Sequence, residues 1–182
     1  MIAAVIDALL YLVIAVCAVT DIKDSKVPNI ITYPAIVAGL ILAALSGGFG
    51  GFLNSLMGFS LGFAMMFFLF LWGGFGGGDV KLMGAVGAIK GYPFILYAAF
   101  YSAIVGGVYS LALIIWRGKL KRTFFNIGHQ LIAFVKPSSA FAVPLDKKES
   151  IAIPFGFCIC LGTLWAMLES FLSKSVMDFF FS

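Results

Sequence analysis

The sequence predicts an all-α polytopic membrane protein with about six transmembrane helices, and two observations lead to this prediction. The first is composition, because 62% of the 182 residues are hydrophobic and only 11% are charged, whereas a soluble domain has about 25% charged residues. The second is that the apolar residues form several runs of about 20, the length of a helix that crosses a bilayer. We therefore expect a single membrane-embedded domain over residues 1–182.

The predicted helices follow one another along the chain. They cover residues 2–20, 28–46, 51–72, 79–90, 93–116 and 151–172. Asp7 and the lack of a basic N-terminal region argue against a cleavable signal peptide, and Pro28 suits the first turn of the second helix. The fourth helix is too short to cross a bilayer core alone. The one sizeable polar region is a loop at 117–150, in which residues 124–135 are compatible with an interfacial amphipathic helix.

The basic residues indicate the orientation of the chain. If the N-terminus is outside, the cytoplasmic loops together with Lys81 contain ten of the twelve lysines and arginines, as the positive-inside rule requires. We therefore predict that both termini are outside and that Asp21 and Asp79 share the cytoplasmic face. The same rule accounts for the net charge of +4, so we do not expect nucleic-acid binding.

Three of the eight acidic residues, Asp21, Asp24 and Asp79, lie at the predicted cytoplasmic ends of membrane helices. A carboxylate there is costly and is by default a functional candidate. Capping accounts for Asp79, since a negative charge favours a helix N-terminus, and solvation accounts for Asp24. Neither accounts for Asp21, which lies at the C-terminus of its helix. Solvation or snorkelling explains the other five acidic residues, which are Asp7, Asp146, Glu149, Glu169 and Asp178.

Two carboxylates that meet at a low-dielectric edge share a proton, because they cannot both ionise easily. One can then remove a proton from water while the other hydrogen-bonds a scissile carbonyl, which is aspartyl protease chemistry. It requires no metal or cofactor, and we expect none. The sequence has one histidine, His129, and no C-x-x-C pair. Its three cysteines lie in apolar runs and are expected to be buried and inert.

The stretch GGFGGGDVKL places Gly76, Gly77 and Gly78 directly before Asp79. Proteolysis needs an extended substrate backbone, and glycines allow another backbone to approach closely. A flexible turn between helices, or movement of the fourth helix, explains the same run. The sequence leaves these alternatives open.

Three stretches resemble the type IV prepilin peptidase family of membrane aspartyl proteases. They are GGGDVKL at 76–82, similar to the family's G-x-G-D-x-K-L motif, DIKDSKVPN at 21–29, and IPFGFCICLG at 153–162, with Phe157 in place of a usual proline. The resemblance implies that Asp21 and Asp79 are the catalytic pair and that Asp24 is not. It also implies a set of motif or substrate-binding positions: Gly76, Gly77, Gly78, Lys81, Pro28, Asn29 and Pro154.

The resemblance further implies that the chain cleaves the basic leader peptide of prepilin-like precursors. This would occur at the cytoplasmic face of a prokaryotic plasma membrane, with the precursor and the lipid bilayer as partners. Longer family members carry an N-terminal domain with paired C-x-x-C motifs that accompanies N-methylation. Because the chain lacks these cysteines, it resembles the short peptidase-only branch of tight-adherence pili or archaeal preflagellins. We therefore expect no N-methyltransferase activity, and the sequence predicts no oligomeric state.

Three other functions are compatible with parts of the sequence. Presenilins and signal-peptide peptidases share G-x-G-D, but their partner aspartate usually lies in a Y-D motif, whereas Thr20 precedes Asp21 here. A small transporter could bind a cation with the aspartates of a broken helix. A non-catalytic pilus assembly protein would tolerate the loss of Asp21.

Overall fold

The computed structural model describes residues 2–24, 26–71, 75–116 and 155–180, and every element in these ranges is helical. The helices are α1 (Ile2–Asp24), α2 (Asn29–Leu71), α3 (Gly77–Lys90), α4 (Tyr92–Trp116) and α5 (Phe155–Phe180). The all-α prediction is therefore confirmed for this part of the chain. Four helices are long and apolar enough to cross a membrane, and they are α1, α2, α4 and α5.

The chain divides into two compact units, Met1–Gly106 with Pro154–Ser182, and Gly107–Ile153. The first unit contains both candidate aspartates. Of the second, the structure describes only residues 107–116, at the end of α4. The polar loop predicted at 117–150 and its segment 124–135 lie outside the described residues, as does Pro154.

Helix α2 is interrupted at Gly48, where the backbone adopts φ 60° and ψ −144°. This conformation is accessible to glycine and strained for other residues. The chain reverses there, since Gly51 packs directly against the carbonyl group of Ala43. Eight residues along a straight helix would be about 12 Å apart. The two halves of α2, a first arm at 29–47 and a second arm at 49–71, thus occupy the positions of two separately predicted helices.

Helix α3 lies between the two arms of α2 and is the most enclosed element of the described chain. From Asp79 to Ile89, only Lys81 is not buried. The first arm runs parallel to α3, because Asn29 contacts Lys81 and Gly39 contacts Ala88. The second arm runs antiparallel to α3 through a separate series of contacts, in which Gly58 faces Gly87 and Gly62 faces Met83. A short helix that is apolar on all sides is stable when it is enclosed in this way.

The end of α3 that lies far from Asp79 is fixed by polar contacts. Lys90 forms a salt bridge with Asp7 of α1, with 2.5 Å between Nζ and Oδ1. Gly91 has φ 86°, and the N–H of Tyr92 donates to Oδ1 of Asn54 at 3.2 Å. Asp7, which sequence reasoning assigned to solvation or snorkelling, is therefore paired with a lysine.

Several helix boundaries differ from the predicted ones. Helix α1 continues to Asp24, because the sequence has no helix breaker before Pro28, which disfavours helical backbone in the residue before it. Asp21 is thus inside the last turn of α1 rather than beyond its end. Helix α3 begins at Gly77, so that Asp79 lies within its first turn, and α5 continues to Phe180.

Candidate active site

Asp79 is held at the N-terminus of α3 by the backbone in front of it. Its Oδ2 accepts a hydrogen bond from the N–H of Gly76 at 3.1 Å, and only 7% of the residue is exposed. Gly76 is the N-cap residue of the helix. The capping role expected of Asp79 is thus present, and it fixes the orientation of the carboxyl group.

Asp21 is held by a helix distant in sequence. Its Oδ2 accepts a hydrogen bond from the N–H of Phe157, in the first turn of α5, at 2.8 Å, and 4% of the residue is exposed. Gly156 packs against the carboxyl group, since a Cβ placed on it would lie 2.9 Å from Asp21 Cγ. The positive end of α5 therefore offsets the unfavourable position of Asp21 at the C-terminus of α1.

The segments that carry the two aspartates meet at one end of the first unit. Val27, in the connection between α1 and α2, contacts both Gly78 and Gly156. Phe75 and Phe155 also meet, with ring centroids 4.4 Å apart and planes at 80°. Val27 thus lies between Gly78, which directly precedes Asp79, and Gly156, which packs on the Asp21 carboxyl group.

Asp24 is exposed on the last turn of α1, as expected from its solvation. Among the acidic residues singled out at the membrane edge, it is the one without a buried carboxyl group. Of the two aspartates in the last turn of α1, Asp21 is thus the buried one.

Lys81 and Asn29, which two separate sequence motifs contribute, contact each other. Lys81 Nζ donates a hydrogen bond to Asn29 Oδ1 at 2.9 Å and lies 5.3 Å from the ring centroid of Tyr33. Pro28 precedes α2, and its carbonyl group accepts from the N–H of Ile31 at 3.1 Å. These residues fasten the start of α2 to the start of α3.

The three glycines before Asp79 have different surroundings. Gly76 and Gly77 are exposed, whereas Gly78 is half-buried. A Cβ on Gly78 would lie 3.0 Å from Cβ of Val27, while one on Gly77 would meet, among the described residues, only the ring of Phe70, at 3.9 Å. The glycine run is therefore packed on one side and open on the other.

The three cysteines are free thiols and are buried, as their apolar runs predicted. Cys17 lies one turn before Asp21, and Cys158 and Cys160 lie in the first turns of α5. Cys17 and Cys160 belong to the apolar core layer that includes residues of α1, α3 and α5, and Cys158 is also buried. This layer raises the cost of ionising both aspartates together.

Comparison with known proteins agrees with the resemblance carried by the sequence motifs. A family model described as the type IV leader peptidase family matches residues 8–111. The chain belongs to the type IV leader peptidase family. The matched region contains Asp21 and Asp79 and extends into α4, while α5, which holds Asp21 through Phe157, lies beyond it.

Curated relatives of this leader peptidase family member come from bacteria and an archaeon. The chain is 32% identical over 110 residues to the prepilin leader peptidase/N-methyltransferase of Bacillus subtilis. This alignment covers 59% of the chain and 44% of the relative. The chain is 29% identical over 107 residues to the protein of the same name from Vibrio cholerae, covering 55% of the chain and 42% of the relative.

An archaeal relative is the prepilin peptidase EppA of Methanocaldococcus jannaschii. The identity is 28% over 116 residues, covering 59% of the chain and 32% of that protein. The chain thus spans less than half the length of each of these relatives. No solved structure matches the chain.

The sequence did not reveal what holds Asp21. Its partner is a backbone N–H, and a backbone group leaves no residue-type signal in the sequence. The nearest signal is Gly156, since any side chain at this position would displace the Asp21 carboxyl group. The contact between Lys81 and Asn29 was also missed, although both residues were selected from their motifs.

Proposed function

We propose that the chain is a membrane aspartyl endopeptidase that cleaves the basic leader peptide of prepilin-like precursors. The observation that carries the proposal is the convergence of Asp21 and Asp79. They come from distant segments, both are buried, and a backbone N–H fixes each carboxyl group. Membership in the leader peptidase family supports the substrate class.

In the proposed mechanism, the two carboxyl groups hold one proton between them. Two carboxylates in apolar surroundings cannot both ionise easily, so the pair titrates as a unit. The ionised member removes a proton from water, and the protonated member hydrogen-bonds the carbonyl oxygen of the scissile peptide. Attack of the water oxygen on the carbonyl carbon gives a tetrahedral intermediate. Transfer of a proton to the leaving nitrogen then breaks the C–N bond.

We infer that the substrate approaches from the exposed side of the glycine run. A peptide in a helix has its carbonyl groups engaged, so the leader must be extended where it is cleaved. Gly76 and Gly77 leave room for such a backbone beside Asp79, because they are exposed and lack side chains. Leader cleavage next to a hydrophobic helix suits a site at the edge of a membrane.

The proposed topology has six membrane segments, which include both arms of α2 and the short α3, with both termini outside. It places the aspartates at the cytoplasmic edge of the plasma membrane. The Asp7–Lys90 salt bridge lies about 21 Å along α1 from Asp21, and so at the end of α1 that this topology places outside. It pairs one of the two basic residues that fall outside the cytoplasmic regions. The absence of N-methyltransferase activity remains an expectation.

Co-expression with a candidate precursor tests the proposed function. The precursor carries a basic leader, a glycine and a hydrophobic helix, and processing is measured by its change in mobility and by the mass of the product. We expect Asp21→Asn and Asp79→Asn each to abolish processing, because neither amide can exchange the proton. Asp24→Asn is the matched control and should process normally. Full processing by Asp79→Asn would rule out the pair.

The shared proton also predicts how cleavage depends on pH. At low pH both carboxyl groups are protonated and no base remains, while at high pH both are ionised and no acid remains. The rate should therefore fall on both sides of an optimum. Single-turnover cleavage by the detergent-solubilised protein over a pH series measures this profile. A rate that rises to a plateau at high pH would contradict the shared proton.

A further inference from the structure

The connection between α1 and α2 contacts both segments of the candidate site. Its non-helical residues, Lys26–Pro28, follow the helix that carries Asp21 and lead into Asn29. Val27 of this connection is half-buried and contacts Gly78 and Gly156, the glycines next to the two candidate aspartates. The connection is therefore placed to influence both carboxyl groups at once.

Val27 separates the residues next to the two aspartates. On one side, the Cβ position of Gly78, which directly precedes Asp79, lies 3.0 Å from Val27 Cβ. On the other side, the Cβ position of Gly156, which packs on the Asp21 carboxyl group, lies 3.1 Å from Val27 Cγ2. A displacement of Val27 would shift or release both neighbours, and with them the spacing of the carboxyl groups.

Lys81 fastens this connection to α3. Its side chain turns towards Asn29, with an Nζ–Oδ1 distance of 2.9 Å, and passes over the ring of Tyr33. Lys81 is two residues from Asp79 along a helix, so the two side chains do not share a face. Its contacts are those of a residue that joins α3 to the start of α2.

We propose that Val27, Asn29 and Lys81 are positioning residues for the aspartate pair. The Lys81–Asn29 hydrogen bond holds the connection against α3, and Val27 then sets the separation of the Asp21 and Asp79 carboxyl groups. This inference rests on the proposed peptidase function, because it assigns these residues a role in the same reaction. It gives Asn29 and Lys81 a role without contact with the substrate.

The effect of the hydrogen bond should appear in the catalytic step. A misplacement of about 1 Å between reacting groups can lower a rate by about 100-fold. One hydrogen bond between partly exposed side chains contributes only modestly to folding. Loss of the bond should therefore reduce kcat by at least about tenfold, with little change in KM or in the melting temperature.

The test compares Lys81→Met and Asn29→Ala with wild type, with Asn29→Asp as the conservative variant and Lys23→Met as the charge-matched control. Lys23 is exposed on α1. The kinetic readout is kcat and KM for leader cleavage. The structural readout is amide hydrogen exchange in residues 26–30 and 76–80 of the detergent-solubilised full chain.

We expect Lys81→Met and Asn29→Ala to lower kcat at least about tenfold and to accelerate exchange in both segments. Asn29→Asp, which keeps an acceptor oxygen for Lys81, should retain most of the activity, and Lys23→Met should match wild type. A raised KM with unchanged kcat in Lys81→Met would overturn the proposal, because it would indicate that the ammonium group binds the substrate. Unchanged exchange in both segments would also overturn it.

The failure of the proposed function is distinguishable from the failure of this inference. If Asp21→Asn and Asp79→Asn still cleave the precursor, the aspartyl peptidase assignment is wrong. The hydrogen-exchange rates of Lys81→Met then still test the structural part of the inference, which is that the Lys81–Asn29 hydrogen bond holds the connection against α3. Faster exchange at 26–30 and 76–80 supports the Lys81–Asn29 fastening, and wild-type exchange overturns it.

Discussion

The glycines between α2 and α3 and the glycines in front of Asp79 differ in what surrounds them. Between the helices, a Cβ would collide with the backbone of the neighbouring helix, and four glycines form this seam: Gly39, Gly58, Gly62 and Gly87. In front of Asp79, a Cβ on Gly77 would make only an ordinary contact within the part of the chain that the structure describes. The same residue type thus serves close helix packing in one region and leaves open space in the other.

The seam explains how the short helix α3 can hold the carboxyl group of Asp79 inside the protein, where only 7% of the residue is exposed. Membrane helices lack a hydrophobic driving force towards one another, and small residues let their backbones approach until dispersion contacts become favourable. At Gly58 and Gly87 two backbones meet with no side chain between them. Because α3 begins with the capped Asp79, the precision of this seam determines where Asp79 lies.

The largest effect should follow from a side chain in the seam. In Gly87→Ala, the new Cβ would lie 2.5 Å from the carbonyl carbon of Gly58, and no flexible side chain can yield there. We expect the free energy of unfolding to fall by about 3 kcal/mol, towards the upper end of the cost of overpacking a protein core. Thermal unfolding of the detergent-solubilised protein measures this change. Gly50→Ala is the control, because Gly50 is exposed and has open space around it. If Gly87→Ala had the melting temperature of wild type, the two helices could move apart at little cost in stability, which would contradict the prediction.

A smaller effect on folding, but a clear effect on cleavage, should follow from Gly78→Ala. The new Cβ would lie 3.0 Å from Val27 Cβ, so the connection must move by a few tenths of an ångström. Because Val27 also contacts Gly156 beside Asp21, the displacement should change the spacing of the carboxyl groups. We expect kcat to fall about tenfold while the protein remains folded. Leader cleavage and thermal unfolding measured on one preparation would check this, and a wild-type kcat would contradict it.

The all-helical fold could be predicted from the sequence, and Asp21 and Asp79 could be selected as candidates, because both inferences follow from the cost of polar groups in lipid. Apolar runs predict helices, and a carboxylate at the end of such a run, as at Asp21 and Asp79, needs an explanation. The sequence did not predict that Asp21 accepts from Phe157 or that Lys81 binds Asn29. These contacts depend on which helix ends meet in space, and neither apolar periodicity nor residue type specifies that. The seam could not be predicted for the same reason, because the sequence does not distinguish a glycine that packs against another helix from a glycine in a turn.

The smallest expected effect separates the two roles that the sequence left open for the glycine run. In Gly77→Ala, the new Cβ would lie 3.9 Å from the Phe70 ring, so the folded protein accommodates it without displacement. We expect an unchanged melting temperature and an unchanged response of cleavage to pH. If the exposed side of the run receives the substrate backbone, the added methyl group should raise KM about threefold to tenfold, since each tenfold corresponds to about 1.4 kcal/mol of binding. Cleavage measured over a range of precursor concentrations tests this. A wild-type KM together with a lowered kcat would indicate instead that the run acts as a hinge for α3, because alanine stiffens the backbone without blocking its surface.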